Sequence, residues 1–83
     1  MIPKYTKKGI DAFVKDGVPV GGFLEAVLSN DLIEAFGRAD ENNREAMFDI
    51  VYYLYNEVPT ECYGSLEKVN NWIEKKRKER GNG

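Results

Sequence analysis

Met47-Phe48-Asp49-Ile50-Val51-Tyr52-Tyr53-Leu54-Tyr55-Asn56-Glu57-Val58 is the stretch on which the fold turns. Its centre, Ile50 to Tyr55, is rich in β-branched and aromatic side chains, which suit a pleated surface and favour a strand. Against that, Met47, Ile50, Val51, Leu54 and Val58 recur at three- and four-residue spacing, which is the pattern of one helical face. The flanks decide between the two. Asn42 and Glu45 have the N-cap and third-position spacing of a helix start. Pro59 stops the segment, and no hairpin turn borders it. A helix is therefore expected. Phe48, Tyr52, Tyr53 and Tyr55 fill most of its remaining circumference, so this helix is either central in the fold or buried by a second subunit.

Working outward, the segment before it begins at Gly21-Gly22 and runs to about Arg38. Leu24, Val27, Leu28, Leu32, Ala35, Phe36 and Ala39 follow helical spacing through it without a phase slip. Ser29-Asn30-Asp31 interrupts its middle. These residues are either a solvated face or the end of one helix and the cap of another, since Asp31 and Glu34 fit a capping-box variant. Upstream, Ile10, Phe13 and Val14 share one face of a helix from about Thr6 to Asp16, which Gly17 and Pro19 end. Downstream, Ser65 caps a last helix with Leu66, Val69 and Ile73 on its inner face and Trp72 beside them. Its end, Lys75-Lys76-Arg77-Lys78-Glu79-Arg80, is purely polar and complements the helix dipole, and Gly81-Asn82-Gly83 should fray. The expectation is an all-α, compact single-domain bundle of about four helices spanning residues 1–83, oligomeric, with a basic helix end and tail at 75–83.

Composition narrows the function. An 83-residue chain is too short for a two-domain enzyme with an interdomain cleft, and its core is small enough that oligomerisation would supplement it. The sequence contains no histidine, the commonest general base and metal ligand, and a single cysteine, which rules out an internal disulfide or a Cys-rich zinc site. Ser29, Ser65 and Cys62 are nucleophiles without a histidine to activate them, so no enzymatic activity is expected and no cofactor is indicated. Asp40, Glu41 and Glu45, or Asp31 and Glu34, offer oxygen ligands, but carboxylates at these positions read as helix-start residues rather than a metal site. Net charge is -2 and unevenly spread: the chain ends are basic and the middle is acidic. The acidic middle repels a phosphate backbone, and the basic tail lacks interleaved aromatics, so nucleic acid is not an expected partner. No stretch reads as a membrane span or an export signal, and with one cysteine the expected location is the cytoplasm.

The loop Gly17-Val18-Pro19-Val20-Gly21-Gly22-Phe23 carries the most chemical information. A Gly-Gly pair that opens a helix leaves several backbone N–H groups without intrahelical partners, and with the positive dipole end these attract anions. The plainer reading is a tight turn in which Gly17 ends one helix and Gly21-Gly22 lets two helices approach; both can hold. No P-loop lysine or Gly-x-Gly-x-x-Gly spacing is present. Two polar clusters stand in apolar surroundings, Asn30-Asp31 and Tyr63-Gly64-Ser65. They are either caps or contacts to the base and ribose edges of a ligand whose phosphate sits on the glycines. The candidate ligand-binding residues are Gly21, Gly22, Phe23, Asn30, Asp31 and Tyr63, with Arg38 for charge.

Gly17-Val18-Pro19-Val20-Gly21-Gly22-Phe23-Leu24-Glu25-Ala26-Val27-Leu28-Ser29-Asn30-Asp31-Leu32 resembles the motif G-[IV]-P-x-G-G-F-L-x-A-V-L-x-N-D-L of small accessory proteins of tailed phages and prophages. The likeness continues through Ala39-Asp40, the tyrosine-rich segment and Pro59-Thr60-Glu61-Cys62-Tyr63-Gly64-Ser65, and it spans about residues 5–73. Tyr63 stands where that pattern has Trp. The resemblance implies a counter-defence role in the cytoplasm of an infected bacterium. In that role the protein sequesters a phosphate-bearing small molecule, such as a cyclic nucleotide immune signal. Alternatively it acts as a protein-protein inhibitor of a host defence or nucleic-acid enzyme, or as a small nucleic-acid-binding accessory protein.

Overall fold

The computed structural model describes residues 1–81, and it is all-helical, with no strand among the described residues. Its elements are α1 (Lys4–Asp16), α2 (Gly22–Leu28), α3 (Leu32–Arg38), α4 (Glu41–Glu45), α5 (Met47–Glu57), a single 3-10 turn (Thr60–Cys62) and α6 (Leu66–Gly81). The disputed stretch is a helix, as its periodicity requires. The expected frayed end falls partly on Gly81, which is the last residue of α6, and partly on Asn82 and Gly83, which lie outside the described residues.

Among the described residues six helices replace the expected four or so, for two local reasons. Asn30 adopts a left-handed conformation (φ 65°) just after α2. The amides of Asn30 and Asp31 turn back to the carbonyls of Val27 (3.1 Å) and Ala26 (2.9 Å), which is the hydrogen-bond pattern of a Schellman stop. This settles the Ser29-Asn30-Asp31 interruption in favour of a break. Asp31 then occupies the N-cap position of α3, yet its side chain makes no cap hydrogen bond, so the expected Asp31–Glu34 capping box does not form. The second break is at Ala46 (φ -93°, ψ 7°), between α4 and α5. Hydrogen bonds from Ala46 to Asn42 and from Ile50 to Ala46 carry the chain across it as a bend. The cap of this unit is Asp40 rather than Asn42: its carboxylate accepts the Asn43 amide at 2.8 Å.

The core forms where α1, α2, α5 and α6 converge. Ile10 and Phe13 of α1, Leu28 of α2 and Ile50 of α5 are completely buried, with Leu54, Cys62, Val69 and Trp72 packed around them. The Trp72 indole N–H donates to the Phe13 carbonyl at 3.0 Å, so the largest core side chain also fixes α6 against the end of α1. That end is tight. Gly17 is left-handed (φ 69°), and a Cβ there would lie 2.5 Å from the Cβ of Lys76. Thr6 donates a buried hydrogen bond to the Asn43 side chain and ties α1 to α4.

The break at Asn30 has a consequence for packing. It frees α3 from the helical phase of α2, so Leu32 and Phe36, expected on a buried stripe, are 65% and 42% exposed. Leu66 also departs from its expected inner position and is exposed, leaving Val69 and Trp72 as the buried residues of α6.

Candidate functional site

The α2–α3 hairpin and α5 enclose a groove of about 330 Å³. Its floor is apolar: Val27 and Leu28 from α2, Ala35 from α3, and Met47 and Leu54 from α5. Asn30, Asp31, Tyr55 and Tyr63 are the polar side chains that line it. A backbone hydrogen bond explains how residues so far apart in sequence meet. The Gly64 amide donates to the Leu28 carbonyl at 2.7 Å, satisfying one of the carbonyls that the end of α2 leaves free. The loop after α5 is thereby pinned beside the Asn30 turn, with Gly64 at φ 120°. A floor of this kind with a few polar groups at its edge, at this volume, is the composition of a small-molecule site.

The seven sequence-predicted residues divide into two groups. Asn30, Asp31 and Tyr63 meet at the groove. Gly21, Gly22 and Arg38 stand together at the opposite end of the hairpin, where α2 begins and α3 ends. Seven residues of helical rise separate Asp31 from Arg38, about 10 Å along the α3 axis. Phe23 is half-buried and packs against the core. A single copy of the chain thus does not bring all seven to one place.

At the glycine end, Gly21 and Gly22 are both exposed, and the first α-helical hydrogen bond of α2 is Glu25 to Gly21 (2.9 Å). The amides before Glu25 therefore precede the hydrogen-bond ladder, on exposed backbone at Gly22. Arg38 Nη1 donates to the Gly22 carbonyl at 3.4 Å, and its Nε donates to Glu34 at 3.1 Å. The guanidinium thus sits beside the helix start, with part of its charge shared by Glu34 and with Glu25 in the same turn. A helix of seven residues adds little macrodipole. The backbone is open here, as the phosphate reading requires, but electrostatically the corner is weaker than the sequence suggested.

The nucleophile candidates have other occupations. Cys62 is fully buried, and desolvation, with Glu61 adding to it, pushes its thiol up to about 11. The Ser65 hydroxyl accepts the Lys68 amide at 3.1 Å as the expected cap of α6. The Ser29 hydroxyl is buried without a partner at the end of α2. Among the carboxylates, Asp40 accepts from Tyr5 and from the Asn43 amide, which together hold it below the usual carboxylate range. Asp11 is likewise held low by Lys7 and then by the Tyr53 hydroxyl, at 2.8 and 2.6 Å. Among the described residues no three metal-ligating side chains stand together, and no helix is long and apolar enough to cross a membrane. In the basic tail, Lys75 and Lys76 lie over the Trp72 ring, and Lys75, Lys76 and Arg77 pair with Glu61, Glu79 and Glu74.

Sequence reasoning placed the polar edge of the groove but missed its floor. Val27, Met47 and Leu54 read as core positions, and the space between them lies where the turn at Asn30 folds α3 back beside α2, with Ala35 packed against Ala26 and Met47. The detectable signal was the second apolar stripe on the tyrosine-rich helix, more than one buried face needs. In comparisons with known proteins, no family model, curated protein or solved structure matches the chain.

Proposed function

We propose that this protein is a non-enzymatic counter-defence protein of phage type that binds and sequesters a phosphate-bearing small molecule, of the class of cyclic nucleotide signals. The observation that carries the reading is the groove. Its apolar floor suits the face of a planar base, and Asn30, Asp31 and Tyr63 offer an amide, a carboxylate and a hydroxyl for the edges of base and ribose. The open amides beside Gly22, with Arg38 at the same corner, offer a phosphate contact about 10 Å along α3 from the groove, so the ligand of this reading spans both ends of the hairpin. The sequence likeness to phage accessory proteins supports the biological role.

The test is calorimetric titration of the purified protein with a panel of cyclic di- and trinucleotides, with a thermal melt of each mixture. One member of the panel is expected to bind and to raise the melting temperature. Asn30→Gly is the sharpest variant, because glycine accepts the left-handed backbone at that position while removing the amide side chain. It should weaken binding about tenfold or more, the worth of one or two hydrogen bonds, without loss of fold. Gly22→Glu, which places a carboxylate beside the Arg38 guanidinium, should weaken phosphate contact similarly. No heat and no shift across the panel, together with a host protein that co-purifies, would overturn the proposal in favour of direct inhibition.

A further inference from the structure

We propose that the outer face of α5, with the adjoining face of α3, is the surface on which a second copy of this chain docks. Phe48, Val51, Tyr52 and Tyr55 succeed one another at helical spacing and form an apolar stripe on α5 distinct from the buried Met47, Ile50 and Leu54. Their exposures are 77%, 48%, 61% and 76%, and Phe48 and Tyr52 are stacked on each other (centroids 5.8 Å, interplanar angle 13°) in the open. On α3, Leu32 and Ile33 are 65% and 85% exposed and Phe36 is 42% exposed. Leu32 lines the same groove as Val51 and Tyr55, so the α5 stripe and the start of α3 adjoin there.

Area and charge choose the occupant. An aromatic side chain carries roughly 200 Å², so the three α5 rings and Phe36 alone leave about 500 Å² open. Adding Leu32, Ile33 and Val51 brings the face to the order of the 800 Å² per partner that a standard-sized stable interface buries, and above the roughly 300–600 Å² typical of a monomer's largest patch. None of the four α5 stripe positions is charged, and the neighbouring Asp49 is paired with the N-terminal amine at 2.6 Å. Along the α5 stripe two copies therefore meet across a two-fold axis without opposing like charges, with the exposed Asp31 of the groove edge kept at the rim of the contact, and rings with hydroxyl tips are self-complementary there. Because Leu32, Val51 and Tyr55 belong both to this face and to the groove wall, the second copy also covers the groove mouth. The pairing stands without the nucleotide reading.

Sedimentation equilibrium of the nucleotide-free protein over about 1–100 µM tests it. The wild-type chain is expected to be a dimer or a higher even-numbered assembly. Val51→Glu, which buries a charge in the interface, should raise the dissociation constant at least about a hundredfold while the helical circular dichroism is unchanged. A wild-type monomer across the whole range overturns the proposal, as does an assembly that Val51→Glu leaves intact. Should Val51→Glu fail to fold, Tyr52→Cys decides. Cys62 is fully buried with a raised thiol pKa, so the introduced thiol is the reactive one. Oxidation to a cross-linked pair in yield, at concentrations where random collision gives little, supports the two-fold contact. Absence of cross-linking in the assembled protein, for both Tyr52→Cys and Val51→Cys, counts against it.

Discussion

The inner and outer faces of α5 are built from the same classes of residue, yet they meet different surroundings. Ile50 is 0% exposed and Leu54 4%, whereas Phe48 is 77% and Tyr55 76% exposed one or two positions away. The inner face meets the core built from α1, α2 and α6, while the outer face, beyond the contact of Met47 with Ala35 of α3, stays exposed. Apolar content alone therefore does not decide burial in so small a chain; connection lengths and stop signals decide which apolar face finds a partner. The α1–α6 side is a closed core. The α3–α5 side is a surface.

Truncation measures that contrast directly. Phe13→Ala removes a completely buried ring and should cost about 3–5 kcal/mol, enough to lower the melting temperature by tens of degrees in a domain of this size. Tyr52→Ala on the outer face should change monomer stability by no more than about 0.5 kcal/mol, measured in dilute solution so that assembly adds nothing. Comparable losses for the two would show that the outer face supports the monomer, and the contrast would collapse. The glycines offer a second, smaller test. At Gly17 a methyl group meets Lys76 Cβ at 2.5 Å on a left-handed backbone, so Gly17→Ala should cost about 2 kcal/mol or more. At Gly21 a Cβ meets nothing within 4 Å, but glycine is favoured over alanine at the N-cap of α2, so Gly21→Ala should cost about 1 kcal/mol or less, well below Gly17→Ala.

Much of this closed side was legible in the sequence. Ile10, Phe13, Ile50 and Leu54 announce their burial by spacing, and Gly17, Pro59 and Ser65 mark boundaries by chemistry that needs no tertiary information. The open side was harder for a physical reason. The heptad-like run from Leu24 to Ala39 is continuous, and whether Asn30 breaks it depends on a left-handed backbone that asparagine tolerates but does not require. Once it breaks, the stripe no longer says which way Leu32 and Phe36 face. The capping residues were equally local but ambiguous, since Asp40 and Asn42 both suit an N-cap and the Tyr5 contact favours the former. For the candidate site, the polar residues could be nominated from type and position. Their division into Asn30, Asp31 and Tyr63 at one end and Gly21, Gly22 and Arg38 at the other is set by the hairpin, and no sequence pattern encodes it.

The smallest effect is a pH dependence that also belongs to the closed side. Tyr5–Asp40 and Lys7–Asp11–Tyr53 both join α1 to the middle of the chain. Hydrogen bonds from Tyr5 to Asp40, and from Lys7 and Tyr53 to Asp11, depress the two carboxyls in the folded state. Their contribution is thus complete above the ordinary carboxyl value of about 4 and is lost as pH falls through the lower folded values. Tyr5 and Tyr53 are raised, chiefly by their bonds to Asp40 and Asp11, so their contribution holds below about 10 and is lost as pH rises through the higher folded values. All of these groups are solvent-accessible, so screening keeps the effect small. The expected profile of melting temperature against pH is flat between about 5 and 9 and falls on both sides. Tyr53→Phe, which removes one donor to Asp11, should make the acid limb shallower and end it at higher pH, while Tyr52→Ala should leave it in place. An acid limb that moved with Tyr52 rather than Tyr53 would mean that the outer face is coupled to the α1 seam, and the two sides of α5 would no longer be independent.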